Sequence, residues 1–264
     1  MQAEIAIADW ARWNAGLHEK PEVVRLLHGG RNNRSYLLRS GQRHLVLRLS
    51  GKDTLLPGGS RRSETKIWRA ASAAGLAPPL LYADEHQGIL LSTYIADKLP
   101  AQPEASQTIV EHAFDLLERC HQLDIDAYSM DYRQHIRHYW QLIEAGGGPT
   151  DLSLVKQRKP MQELLESLRS SGAQTALCHH DPTVANFVGS PDRLYLIDWE
   201  YAARGLVVMD YAALAVEWGI DDAVVLARAA VERELLAMAK RLYGYLCALW
   251  IEARPGSVQI QEAP

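Results

Sequence analysis

"LCHHDPTVANFVGSPDRLYLIDWEY", residues 177–201, places two histidines, an aspartate and an asparagine ahead of a short turn and carries a further aspartate, Asp198, near its end. Two chemistries compete for it. Either His179, His180 and Asp181 gather a metal ion, or Asp181 is a base that works with Asn186 and Asp198. A zinc site needs three or four side chains converging on one point. Neighbouring residues on an extended segment point to opposite sides, so His179 and His180 do not readily share an ion. No HExxH pair elsewhere completes such a site. The other reading needs only a loop and a hairpin. Four residues separate Asp181 from Asn186, so a tight turn brings both side chains inward. "LYLI" then runs back as an antiparallel strand and delivers Asp198 to the same point. Phosphoryl transfer asks for this set: an acceptor for a hydroxyl proton, and hard oxygen ligands for a Mg²⁺ that bridges phosphates. The plain structural alternative is that Asp181 and Asp198 cap turns at strand ends.

Toward the N-terminus the chain reads as strands around one helix. "SYLLRSGQRHLVLRL" (35–49) is a hairpin turning at Ser40-Gly41, and "PLLYADEHQGILLSTYI" (79–95) is a second, turning near His86-Gln87-Gly88. Between them, 61–76 is rich in helix formers and stops at Gly75. In "HGGRNNRSYLL" (28–38), Gly29 and Gly30 allow backbone close to a phosphate, and Asn33 can pin that loop. Alternation in "LVLRL" puts Arg48 on the same face as Val46. An inward cation needs an anion, and Glu64 on the following helix supplies it. Such a pair is what a kinase uses to hold the α- and β-phosphates. The bland alternative is an edge-strand arginine in solvent.

After about residue 97 the pattern turns helical, over 104–123, 131–145, 151–170 and about 208–253, interrupted only by the 177–201 stretch. The expected architecture is therefore α+β and bilobal: residues 1–95 form a small β-rich nucleotide-binding lobe, and residues 96–264 a larger helical lobe for catalysis and substrate. The last eight residues read as a frayed tail. A net charge of −4 gives no footing for nucleic acid. No run approaches the ~18 apolar residues of a membrane span. Three scattered cysteines and an N-terminus without a basic-then-apolar order point to a cytoplasmic protein.

With these residues in place, the chain resembles the choline/ethanolamine kinase group of the aminoglycoside phosphotransferase-like superfamily, which shares the bilobal protein-kinase fold. The resemblance runs from about Leu26 to Trp250. It rests on the loop Gly29 to Tyr36, the strand Leu45 to Gly51, the H-x-D-x-x-x-x-N segment at 179–186 and the I-D-W-E-Y segment at 197–201. It implies an ATP- and Mg²⁺-dependent kinase in which Asp181 is the base and Asn186 and Asp198 hold Mg²⁺. Glu64 would orient Arg48, and Leu91 to Ile95, with Tyr94, would form the adenine-binding hinge. Asn32 departs from the family pattern, standing where the loop usually has a hydroxyl residue.

For the acceptor, "DYAALAVEWGID" (210–221) and "YLCALWIEA" (245–253) resemble choline-kinase segments, with Cys247 in place of one tryptophan. A quaternary ammonium is held by aromatic faces and a carboxylate, which Glu217, Trp218 and Trp250 would supply, with Tyr201 or Tyr211 in support. The same rings also suit the core of a helical lobe. The expected acceptor is a small cationic alcohol, choline or ethanolamine first, then thiamine, then an amino sugar or aminoglycoside. A nucleotide-binding pseudokinase is the contrasting class, opposed by the complete Asp181, Asn186 and Asp198 set.

Overall fold

A computed structural model describes residues 3–29, 33–51, 57–97, 99, 100, 104 and 106–254. Gly30, Asn32 and the C-terminal tail lie outside the described residues. A short helix α1 (Ala3–Ala8) and a 3-10 turn (Trp10–Trp13) precede β1 (Glu22–Gly29), β2 (Asn33–Ser40) and β3 (Arg43–Ser50). Helix α2 (Arg61–Ala73) follows, then β4 (Leu80–Asp84) and β5 (Ile89–Thr93). The five strands form one antiparallel sheet in the order β1-β2-β3-β5-β4. Both expected hairpins form. The first turns through Gly41, whose φ of 57° lies in the left-handed region that a side chain disfavours. Helix α2 starts on Ser60, whose side chain accepts from the Ser63 amide at 3.0 Å, and Glu64 sits in the first turn.

The second half holds α3 (Gln107–His121), α4 (Tyr132–Ala145), α5 (Leu152–Ser170), α6 (Val207–Trp218), α7 (Asp222–Ala229) and α8 (Arg233–Glu252). Four short strands interrupt them: β6 (Thr175–Cys178), β7 (Phe187–Ser190), β8 (Arg193–Leu196) and β9 (Ala203–Leu206), paired as β6-β9 and β7-β8. The helices expected over about 208–253 are three, separated at Gly219 and Ala230, both in the left-handed region. The apolar core has two parts. One lies under the sheet and α1, around Leu38, Leu45, Leu47 and Leu91. The larger fills the helical half and also takes in Ile67, Trp68 and Ala71 of α2. Helix α2 is therefore packed against both parts of the molecule, which lets its Glu64 face the junction. None of the described helices is long and apolar enough to cross a membrane.

Candidate active site

The 177–201 stretch is held open by hydrogen bonds from helices that follow or precede it. After β6 the chain turns at His180, a non-glycine residue with φ 65°, and the same unusual value recurs at Asp198. Such left-handed residues cost about 1–3 kcal/mol each and persist only where their surroundings fix them. Here the surroundings are explicit. Asp210 on α6, with no exposed surface, accepts from the amides of His179 (2.8 Å) and His180 (2.7 Å). It also accepts from His121 Nε2 at 3.0 Å. Burial opposes its charge, but the His121 hydrogen bond together with the fields of His121, His180 and His179 outweighs it, and its carboxyl is held down to about 2. His179 Nε2 donates to the Ile197 carbonyl (3.1 Å), tying the two left-handed turns together. Tyr132 accepts from the Leu206 amide (3.2 Å) and bonds His180 Nε2 (2.9 Å). A side chain on Gly205 would collide with His180 and Tyr132.

These contacts settle what the histidines do. Nε2 of each ring is bonded within the protein, His179 to the Ile197 carbonyl and His180 to Tyr132, so the two rings turn to different partners and do not converge on one ion. His121, Cys178 and Asp210 do bring ligand atoms within 4.8 Å of one another. Both Asp210 oxygens, however, are occupied by N–H donors, and burial pushes the Cys178 thiol up, so it stays protonated. The trio is a brace beneath the loop. Asp210→Asn would set an amide N–H against donors that need an acceptor. We expect a loss of roughly 1–3 kcal/mol, a fall of roughly 2–12 °C in melting temperature. A melting temperature unchanged in a thermal scan would contradict the brace.

The hairpin brings the candidate residues to one end. The β7-β8 register pairs Phe187 with Leu196, and the Ile197 amide donates to the Asn186 carbonyl at 2.9 Å. Asn186 and Asp198 therefore emerge at the same open end. Asn186 Nδ2 donates to Asp181 Oδ2 (2.7 Å) and to the Asp181 carbonyl (2.9 Å), closing the loop. Desolvation, and then the neighbouring Asp198, push the Asp181 carboxyl up to about 8, with the Asn186 bond opposing them. Arg48 and Glu64 are both buried and form the expected ion pair. Arg48 Nη1 also donates to Asp198 Oδ1 at 2.8 Å, so one guanidinium joins α2, β3 and the β8 end. Desolvation raises the Glu64 carboxyl, with the Arg48 charge opposing it.

Asn33 donates to Glu200 Oε2 at 2.8 Å, linking the start of β2 to the segment after Asp198. Glu200 is pushed up to about 7 by desolvation and then by Asp198. Sequence reasoning assigned no role to Glu200, Asp210, Tyr132 or His121. A lone acid in the apolar run "VVMDYAALAV" was the available signal for Asp210. Gly29 closes β1 opposite Arg34. Tyr94 is half-buried at the end of β5, and its amide donates to the His44 carbonyl at 3.2 Å.

The residues expected around an acceptor divide. Glu217 is exposed, and its Oε1 accepts from Tyr243 at 2.8 Å on α8. Trp218 is not beside it as a free face. It is 2% exposed, edge-on to Phe187, and donates from Nε1 to the Pro182 carbonyl at 3.0 Å. Successive helical residues stand about 100° apart, so Glu217 and Trp218 face different ways. Trp250 is half-buried, and the Arg254 guanidinium lies 4.8 Å from its ring centre, so the chain's own cation already covers that ring. Tyr211 is core, stacked on Phe114.

Asn186 and Asp198 carry hard oxygens at the same end of the β7-β8 hairpin, the Asp198 carboxylate about a third exposed, and are the residues that could hold a divalent ion. The chain is 24% identical over 212 residues to mouse acyl-CoA dehydrogenase family member 10, covering 72% of this chain. It spans only a fifth of that protein's length. Among solved structures, a choline/ethanolamine kinase family protein from Mesorhizobium loti has a TM-score of 0.70 at 22% identity, covering 92% of this chain and 85% of its own. The choline kinase LicA from Streptococcus pneumoniae, in its complex with AMP, reaches 0.77 at 24% identity, with 95% and 89% covered. These likenesses give the fold as the bilobal, protein-kinase-like one. A model described as the phosphotransferase enzyme family matches residues 23–245, so the chain belongs to that family.

Proposed function

We propose that this phosphotransferase moves the γ-phosphoryl group of Mg-ATP to the hydroxyl of a small cationic alcohol, choline or ethanolamine foremost. The observation that carries this reading is the convergence of Asp181, Asn186, Asp198 and the Arg48–Glu64 pair. Asp181 Oδ2 is held by Asn186, which leaves Oδ1 to take the acceptor's proton. The freed oxygen attacks the γ-phosphorus, and the β–γ bridging oxygen departs with ADP. Arg48 stays charged because Glu64 and Asp198 raise its affinity for the proton above what burial takes away, so it can pair with the α- and β-phosphates. Mg²⁺ on Asn186 and Asp198 would neutralise charge on the phosphates. Gly29, Gly30 and Asn33 would cover them, and the Tyr94 segment would meet the base.

The field around Asp181 supports a cationic acceptor. Asp181 stands among Asp198, Glu200 and Glu217, all of which oppose its ionisation. A positive substrate relieves that crowding. Glu217, fixed by Tyr243, is the carboxylate placed to meet it, and the half-buried Trp250 ring remains part of this pocket only where a substrate cation displaces Arg254. The choline kinase and the aminopropanol kinase among the solved relatives act on alcohols of this kind by their names. Thiamine, another cation, and amino sugars are the next acceptors to test, since spectinomycin and aminoglycoside phosphotransferases share the fold. ATP consumption with choline, ethanolamine, thiamine and an amino sugar ranks them. Glu217→Gln should raise KM for the preferred cation about tenfold, the equivalent of ~1.4 kcal/mol, with KM for ATP near native. An unchanged acceptor KM would remove Glu217 from the pocket.

A further inference from the structure

Trp218 bonds the loop that carries Asp181. Its ring is buried on the last turn of α6, the helix whose first turn carries Asp210. Nε1 donates at 3.0 Å to the carbonyl of Pro182, the residue directly after Asp181. Proline has no N–H, so the 182 peptide cannot anchor itself through a backbone donor on that residue. Asp181 is thus fixed on three sides. Asp210 takes the two amides before it, Asn186 takes its side chain, and Trp218 takes the carbonyl after it. The two α6 contacts flank Asp181 from one rigid helix. A tryptophan N–H that is buried has to find an acceptor, and this one has found the catalytic loop.

We propose that Trp218 is a positioning residue for Asp181, acting through the Pro182 carbonyl. This rests on the reading of Asp181 as the base. Geometry at the reacting atoms is what the bond secures, and a displacement near 1 Å can cost on the order of 10²-fold in rate. Substrate and nucleotide contacts lie on other residues. The loss of the bond should therefore appear in kcat and spare KM.

Trp218→Phe keeps an aromatic edge against Phe187 and deletes the donor. We expect kcat to fall about 10- to 100-fold, with KM for ATP and for the best alcohol acceptor within about twofold of native. A burst titration of competent sites separates slowed chemistry from a reduced folded fraction. Replacing Trp218 with benzothienylalanine keeps the bicyclic shape and exchanges only N–H for sulfur, so it decides the matter should the phenylalanine variant fold poorly. A native kcat in that protein would overturn the proposal, as would a lowered kcat matched by an equal loss of titratable sites. Asp181→Asn measured in parallel keeps the two ideas apart. Near-native turnover there removes the base assignment itself, whereas its inactivity beside an active donor-free Trp218 variant removes only this inference.

Discussion

Asp181→Asn should lower kcat by about 10²–10⁴-fold, the usual worth of a positioned general base, while Mg-ATP binds with near-native affinity. The variant keeps the shape and an acceptor for the Asn186 bond but cannot take a proton. Its stability should move the other way. The Asp181 carboxyl, ordinarily near 3.8, is pushed up to about 8 by desolvation and by Asp198. A carboxyl raised in the folded state favours folding while protonated. That contribution is complete below the ordinary carboxylate value and is lost as pH rises through about 8. The native protein without ligand therefore carries an ionisation cost at pH 8 that the asparagine variant lacks. The variant should melt higher at pH 8, and the gap should close toward pH 4. Turnover by native protein should climb with pH over the same range, since the base must be ionised. Near-native kcat in the variant, or a native profile flat from pH 6 to 9, would contradict the assignment.

Asp198→Ala should nearly abolish stabilisation by Mg-ATP. At a ligand concentration 100 times Kd, binding stabilises by about 2.7 kcal/mol, a rise of roughly 5–10 °C for a chain of this size. Loss of a carboxylate ligand that weakens affinity about 100-fold leaves only about 0.4 kcal/mol, near 1 °C. Asp198 also accepts from Arg48, yet Arg48 keeps its buried partner Glu64, so the variant should still fold. Thermal scans with and without Mg-ATP measure the difference. A shift equal to the native one would show that the phosphates and their metal are held elsewhere.

How far the sequence could be read depended on whether a residue's role was set locally. Asp181, Asn186 and Asp198 sit in one loop-and-hairpin unit, where spacing alone dictates the geometry, and the register found is the one the spacing required. Arg48 and Glu64 were readable because strand alternation turns the cation inward and the next helix carries an acid in its first turn. Asp210 was not, because its partners are two amides about thirty residues earlier and a histidine on α3, a return path no local pattern encodes. Trp218 was misplaced by adjacency: standing next to Glu217 in sequence suggested one pocket, whereas helical rotation separates them. Trp250 followed a similar course, since Arg254 lies one helical turn on and covers its ring. At the N-terminus, bulges between Val23 and Arg25 and between Leu26 and His28 break the alternation that would have marked β1. Helix α1 is too short, at six residues, to leave a period.

Phosphorus NMR of the native protein with Mg-ATP and each of choline, ethanolamine, thiamine and an amino sugar follows the γ-phosphate itself. The expected result is a phosphate-ester resonance that grows as ATP is lost, with one cationic alcohol giving the fastest conversion and no conversion without Mg²⁺. ATP that stays intact with every acceptor while still binding the protein would make the chain a nucleotide-binding module. Inorganic phosphate in place of an ester would show that Asp181 activates water and not an alcohol.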